Sequence, residues 1–352
     1  PLSPLPAPTE LPAPPIEPPS TLASLPGWTD NAFTLLQAHT EGDAQENAHP
    51  RSNFPYTQAA YRGGETSALA HLQYYLTPPW PDRYKQTRNA LQGQHTSSHW
   101  SPWLATGAVS ARRIWADLHA YEQDHGSNDG TYWLWFELLW RDNFRMLHLQ
   151  HGPQLYAARG LSNLPKPSHF PKDFQRWCNG QTGYPLIDAC MRSLRANGWI
   201  TFRMRALVVS FASYQLWLDW RRTGPVLARL FTDYEPGIHY SQLLMQSGVT
   251  GINAVRLYNP VKQSLEHDPE GKFIRRYVPE LAELPSEFIH EPWQLASPPA
   301  DYPARIVDHE QAAREARARM APFWRGESFR EQATAVFRKL GSRNRPAERR
   351  KP

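Results

Sequence analysis

Apolar residues recur at three- and four-residue spacing along most of the chain after about residue 63, and this pattern predicts α-helices. GGETSALAHLQYYL combines a small-residue start with an early Glu, as helix N-termini often do. GYPLIDACMRSLRANG has Pro near its start and Gly after its end, and WITFRMRALVVSFASYQLWLDW follows at once. No strand series, internal repeat or glycine-rich phosphate loop is visible. We therefore predict a mainly α, multi-helical fold.

One segment, TYWLWFELLWRDNFRMLHLQHG, is apolar nearly all round, which predicts a buried helix. Its charged exceptions are Glu137, Arg141, Asp142 and Arg145. An ionised group inside a core is costly unless it is paired or bound to a ligand. Two interpretations stay open for these residues: ion pairs that hold helices together, or groups that contact a bound molecule.

Composition divides the chain into three parts. Ten of the first 26 residues are Pro, so residues 1–26 are predicted to be an extended linker, which suggests that another domain once preceded it. Residues 27–300 are predicted to form the helical domain, and residues 301–352 a charged helix and a basic tail. Within that last part, residues 310–339 are predicted to form an exposed helix or pair of helices.

Charge and cysteine content narrow the functional classes. The net charge is +5, but residues 338–352 alone contribute +6, so bulk charge does not argue for nucleic-acid binding by the body of the protein. Only Cys178 and Cys190 occur, which suggests neither a zinc site nor a disulfide scaffold. No apolar run approaches the length of a membrane span and no signal segment opens the chain, so a cytoplasmic protein is expected.

Three groups of side chains are candidates for chemistry. Ser97, Ser98 and Ser101 precede a small-residue helix, where hydroxyl and N–H groups can hold a phosphate or simply cap the helix. Arg203 and Arg205 are two residues apart and so project in different directions from one helix, and Arg205 can pair with Asp233. His239, in GIHYSQLLMQSG, is either a packed core histidine or a group at a bound molecule.

Taken together, six segments in order resemble the FAD-binding helical domain of the photolyase/cryptochrome family, most closely the DASH cryptochromes. They span about residues 60–293 and read GGETSALAHLQYYL, YKQTRNALQGQHTSSHWSPWLATGAVSARRIW, SNDGTYWLWFELLWRDNFR, GQTGYPLIDACMRSLRANGW, LDWRR and DPEGKFIRRYVPEL with its following HEPW. Each motif is weak alone, whereas six in sequence are specific.

The resemblance implies an FAD cofactor and light-driven repair of damaged single- or double-stranded DNA, in which reduced flavin passes an electron to a flipped-out pyrimidine dimer. Tyr84, Ser97, Ser98 and Ser101 would hold the pyrophosphate and neighbouring atoms. Arg205 and Asp233 would pair beside the flavin, with Glu235 near the ribose. Glu137 and Trp140 would contact the lesion, and DNA contacts would come from Arg141, Arg203 and Arg256.

The sequence also departs from the family pattern. The family's amino-terminal antenna domain does not precede the matching segments in this sequence, so either the sequence is a piece of a longer protein or the protein works without an antenna. Trp220 matches the middle tryptophan of the electron relay, but Leu243 stands at the position nearest the flavin, so Trp199, Trp217, Tyr234 or Tyr240 would have to offer another route. Phe202, Ala206 and Met245 replace an Asn, a Met and an aromatic of the lesion cavity.

His239 falls where relatives place the residue that faces flavin N5, and an imidazole there could exchange a proton with the flavin. We expect a monomer without metal. A cryptochrome-like light or redox sensor without repair activity is the alternative function, and a helical nucleic-acid or scaffold protein that has lost its cofactor is a third.

Overall fold

The computed structural model describes residues 62–157, 171–249 and 256–325, and these residues form helices and loops with no β-strand. This confirms the predicted mainly α fold. The predicted linker at residues 1–26 lies outside the described residues. The α-helices, numbered in chain order, are α1 Glu65–Tyr75, α2 Trp80–Thr87, α3 Ser101–Thr106, α4 Ala111–His125, α5 Asp129–His151, α6 Pro171–Asn179, α7 Pro185–Asn197, α8 Phe202–Ser210, α9 Trp220–Leu230, α10 Pro236–Gln246, α11 Pro260–His267, α12 Lys272–Tyr277 and α13 His309–Arg325.

Two hydrophobic cores organise these helices. The smaller core joins α1 to α5 around Leu72, Trp103, Ile114 and Leu134. The larger core is built mainly from α7 to α12, with α7 buried on almost every side. A cavity between the two cores is lined by helices of both.

The long helix α5 connects the two cores, because α2 packs against it on one side and α10 on the other. Asn128 caps its start by accepting hydrogen bonds from the Gly130 and Thr131 amides at 2.8 and 3.2 Å. At Gly130 the α2 backbone approaches so closely that an added Cβ would lie 2.2 Å from the Pro81 carbonyl oxygen. Only glycine permits this crossing.

The prediction that α5 is buried all round is wrong. One face is on the surface, and its Met146 and Leu149 side chains are 64% and 77% exposed. Apolar character alone overestimated the burial, because an apolar side chain is buried only where another element covers it, and Met146 and Leu149 lie outside the covered face.

The last helix, α13, is not an exposed appendage as predicted. Ala312, Ala316 and Met320 form a buried face against the larger core, while its Arg and Glu residues face outward. The remainder of the predicted 310–339 segment and the basic tail lie outside the described residues. Among the described helices, none is long and apolar enough to cross a membrane.

Candidate functional site

A large open cavity lies between the two cores and has an empty volume of about 1020 Å³, counted with its mouth. Helices α2, α3, α5, α8 and α10 all contribute to its walls. Most of the predicted site residues line it together: Tyr84, Ser97, Ser98, Ser101, Glu137, Trp140, Arg141, Arg205, Asp233 and Glu235. Residues that are up to 151 positions apart in the sequence therefore share one surface.

The serine loop before α3 forms one end of the cavity. Ser101 accepts a hydrogen bond from the Trp199 indole at 3.0 Å, whereas the Ser97 and Ser98 hydroxyls have no partner among the described residues. The loop is held from behind by its carbonyl groups, because His71 and His99 bond the Ser98 and Ser97 oxygens at 2.8 and 2.9 Å. Two hydroxyl groups are thus presented to the cavity on a fixed backbone.

Desolvation keeps both supporting histidines neutral. Burial lowers the pKa of His99 to about 4 and also lowers the pKa of His71. His99 has a left-handed backbone with φ 54°, which is uncommon outside glycine. The serine loop therefore depends on a locally unusual conformation that is fixed by packing.

Arg205 and Asp233 form a bidentate ion pair at 3.1 and 2.8 Å in the cavity wall. The Asp233 side chain is only 4% exposed, so its charge needs this partner. Arg205 is held in place by a bond from its Nε to the Ile200 carbonyl oxygen at 2.9 Å and by the face of Phe231 at 4.1 Å. The pair places a rigid polar edge in a largely apolar wall.

Glu137 lies in the cavity wall and is paired with Arg88, a partner that the sequence reasoning missed. Arg88 also lies over the Trp133 ring at 4.1 Å, which fixes its guanidinium. Partial burial raises the pKa of Glu137, and Arg88 opposes that shift. The sequence did hold a signal for Arg88. It lies four residues after Tyr84 at the end of α2, and residues at that spacing share a helix face.

Arg141 lies within the cavity wall rather than on an open rim. It donates to Glu235 at 3.0 Å and to the Leu104 carbonyl oxygen at 3.2 Å, and most of its side chain is buried. Arg145, one turn further along α5, pairs with the same carboxylate at 2.7 Å. The two arginines tie α5 to the start of α10, so a direct DNA contact by Arg141 stays a prediction.

His239 lines a second pocket that shares Phe202, Arg205, Asp233 and Glu235 with the main cavity. Its Nε2 lies 3.0 Å from the Gly224 carbonyl oxygen, so Nε2 carries the proton and Nδ1 is left as an acceptor. Burial lowers the pKa of His239 to about 4. A neutral imidazole at this place can accept a proton or hydrogen bond through Nδ1.

Three predicted residues lie outside both pockets. Trp220 is buried in the larger core, with its ring 6.4 Å from the Tyr240 ring. Arg203 points away from Arg205, as expected, and bonds Asn89 at 3.3 Å. Arg256 is exposed next to residues outside the described ranges.

Two buried polar groups at these pockets were not anticipated. The Trp100 indole N–H lines the main cavity and has no partner among the described residues. The Gln246 side chain is 3% exposed and lines the His239 pocket. Its amide nitrogen and oxygen also have no partner among the described residues. A buried polar group without a partner is costly, which points to a ligand or ordered water at each place. No group of His, Cys, Asp and Glu within the described ranges could hold a metal ion.

Comparison with known proteins agrees with this geometry. The family model described as the FAD binding domain of DNA photolyase matches residues 133–322. The cryptochrome DASH of Synechocystis sp. is 39% identical over 289 residues, which is 77% of this chain and 58% of that protein. The cryptochrome DASH of Xenopus laevis is 36% identical over 286 residues, or 79% of this chain and 53% of that protein. The chain therefore spans little more than half the length of these relatives.

Solved structures show the same likeness. The Synechocystis cryptochrome superimposes with a TM-score of 0.71 at 37% identity, covering 76% of this chain and 58% of that one. A class III photolyase from Agrobacterium tumefaciens gives a TM-score of 0.67 at 27% identity, covering 75% of this chain and 56% of the other.

Proposed function

This chain belongs to the photolyase/cryptochrome family, and on that premise we propose that it is a light-driven DNA repair enzyme acting on pyrimidine dimers. One observation supports the proposal most strongly. The residues expected to hold the cofactor, apart from His239 in the adjoining pocket, line a single cavity with the residues expected to contact the lesion. A cofactor and a flipped-out base can therefore lie side by side in it.

FAD is the cofactor of this domain, and the residues present suit it. The free Ser97 and Ser98 hydroxyls can donate to phosphate oxygens. The unpaired Trp100 and Gln246 groups offer buried donors and an acceptor to a heterocyclic ligand. Arg205 and Asp233 present a fixed charged edge beside the His239 pocket.

The lesion side of the cavity combines a carboxylate with exposed aromatic rings. Trp140 is 40% exposed and Phe202 is 48% exposed, and both line the cavity wall. Exposed rings at a cavity mouth can stack on bases that have left the duplex. Glu137, held by Arg88, can accept hydrogen bonds from base N–H groups.

The protein's own contribution is to bind, orient and desolvate. A dimer is already poorly stacked, so moving it into the cavity costs less than flipping an intact base. Trp140 and Phe202 supply stacking surface, and Glu137 fixes the orientation of the base edge. When bound, reduced FAD supplies light absorption and the electron that splits the dimer.

The proposal is tested by exposing dimer-containing single- and double-stranded oligonucleotides to chemically prereduced protein under blue light. We expect light-dependent loss of dimers, which Glu137→Gln and Trp140→Ala reduce without loss of bound FAD. Absence of any light-dependent loss with the unaltered protein would refute the repair function.

A cryptochrome-like sensor is the second candidate, and the altered wall favours it. Phe202 adds an exposed apolar ring where the resemblance expects an amide, and Leu243 interrupts the expected relay. This function requires a light-induced flavin redox change that alters binding to a partner. The sensor function is refuted if illumination changes the absorption spectrum of the flavin but does not change the affinity for any partner. The monomeric state and the cytoplasmic location stay predictions.

A further inference from the structure

A run of ring contacts leads from the His239 pocket to the protein surface. The His239 ring lies 5.3 Å from the Tyr234 ring and 4.9 Å from the Tyr240 ring, centroid to centroid. Tyr240 lies in turn 5.1 Å from Tyr156. Tyr234 and His239 line the pocket, whereas Tyr156 is 40% exposed on the short turn that follows α5.

The three phenols influence one another. Partial burial and the neighbouring Tyr240 raise the pKa of both Tyr156 and Tyr234. Tyr156 and Tyr234 therefore keep their O–H protons at neutral pH. A neutral phenol is an oxidisable group, and it loses its proton when it loses an electron.

The tryptophan relay expected from the family resemblance is interrupted beside the His239 pocket. Leu243, not an aromatic residue, contacts Gly224 beside His239, since an added Cβ on Gly224 would lie 2.6 Å from the Leu243 side chain. Trp220 is fully buried, and its ring lies 6.4 Å from the Tyr240 ring. Tyr156 and Tyr234 are both exposed, at 40% and 36%. Tyr234 lines the pocket itself, whereas Tyr156 lies outside it and is connected to His239 through Tyr240.

We propose that Tyr240 and Tyr156 conduct electrons from the protein surface to the FAD pocket. The proposal rests on the light-driven function above. One electron leaves Tyr240 for the pocket, and Tyr156 replaces it. The O–H proton of Tyr156 passes to water, and a thiol in solution returns a hydrogen atom to the phenoxyl oxygen. Two such cycles deliver two electrons and convert two thiols into one disulfide.

The test measures the rate at which blue light reduces bound FAD, followed by absorbance, with dithiothreitol as the thiol. Tyr240→Phe and Tyr156→Phe keep the ring packing and remove the oxidisable O–H. We expect each to slow photoreduction by about tenfold. Illuminated frozen samples of the unaltered protein should show a tyrosyl radical by electron paramagnetic resonance, and the signal should fall in Tyr156→Phe.

Tyr132→Phe is the matched control, because Tyr132 is a similarly exposed tyrosine whose ring contacts Trp133, Trp135 and Phe136 on its own helix. It should photoreduce at the unaltered rate. The proposal is overturned if both test variants photoreduce at that rate, or if only Trp220→Phe is slow. Repair by prereduced protein does not use this route. A failed repair assay would therefore refute the repair function without affecting the photoreduction test of the relay.

Discussion

The buried carboxylate of Asp233 makes Arg205 the most sensitive single residue in the cavity wall. Removing one member of a buried pair leaves an uncompensated charge, so Arg205→Met should lower the free energy of unfolding by about 3 kcal/mol. Urea unfolding measures this, and FAD content should fall as well. Arg203→Met is the matched control on the same helix, since Arg203 makes long bonds to Gln263 and Asn89, at 3.5 and 3.3 Å. Equal losses for both variants would contradict a special role for the pair.

His99 makes stability depend on pH in a defined direction. Its pKa is about 4 in the folded protein against an ordinary 6.5, so the unfolded chain binds the proton first as pH falls. The contribution of His99 to stability is complete above about pH 6.5 and should fall by about 3 kcal/mol on reaching pH 4.

His99→Asn removes this titration and tolerates the left-handed backbone. Urea midpoints between pH 7 and pH 4 should therefore fall less steeply in this variant. His119→Asn, at a half-exposed position, should leave the slope unchanged. A slope in His99→Asn equal to that of the unaltered protein would assign the pH dependence to other groups, His239 first among them.

Charge is the property by which residue types alone pointed to the site. Arg205 and Glu137 stand out because charge in an apolar helix demands a partner. Tyr84, the three serines and Trp140 were placed there by the family resemblance. Trp100 and Gln246 gave no such signal, since an indole or an amide in an apolar segment is ordinary and only the folded neighbourhood shows that it lacks a partner. Which arginine pairs with Glu137 likewise depended on how α2 crosses α5.

At the scale of elements, Gly130 fixes how closely α2 approaches α5. Its Cβ would lie 2.2 Å from Pro81 O and 2.4 Å from Asp82 O, and backbone cannot give way as a flexible side chain would. Gly130→Ala should therefore separate the helices and cost about 1–3 kcal/mol. Thermal unfolding measures the loss. Gly63→Ala is the control, because nothing lies within 4 Å of the corresponding Cβ; similar losses in both would mean that the crossing can relax.

Helix ends were predictable where local chemistry sets them. Gly126 and Gly198 follow α4 and α7 as their sequences indicate. The burial of a helix was not predictable in this way: it was overestimated for α5 and underestimated for α13. α5 exposes apolar side chains because it borders the surface and a cavity, whereas α13 buries a narrow Ala and Met face that its many charges concealed.

At the scale of the molecule, the cavity lies between two cores that are joined through α5. Helix α5 packs against α10, the two α5 arginines bind Glu235, and Trp199 packs against the smaller core. We propose that the cavity between the cores is the FAD site. FAD in that space would contact helices of both cores and so couple their unfolding.

FAD removal should therefore uncouple the two cores. A ligand that binds only the folded state at 100 times its Kd adds about 2.7 kcal/mol to the free energy of unfolding. Hydrogen exchange followed by mass spectrometry, in increasing urea, can report helices α1–α4 separately from α7–α12. With FAD we expect both groups of helices to open together; without it, α1–α4 should open at lower urea, because the smaller core buries fewer large side chains. Coincident opening in both forms would mean that the α5–α10 contact couples the cores without help from the cofactor.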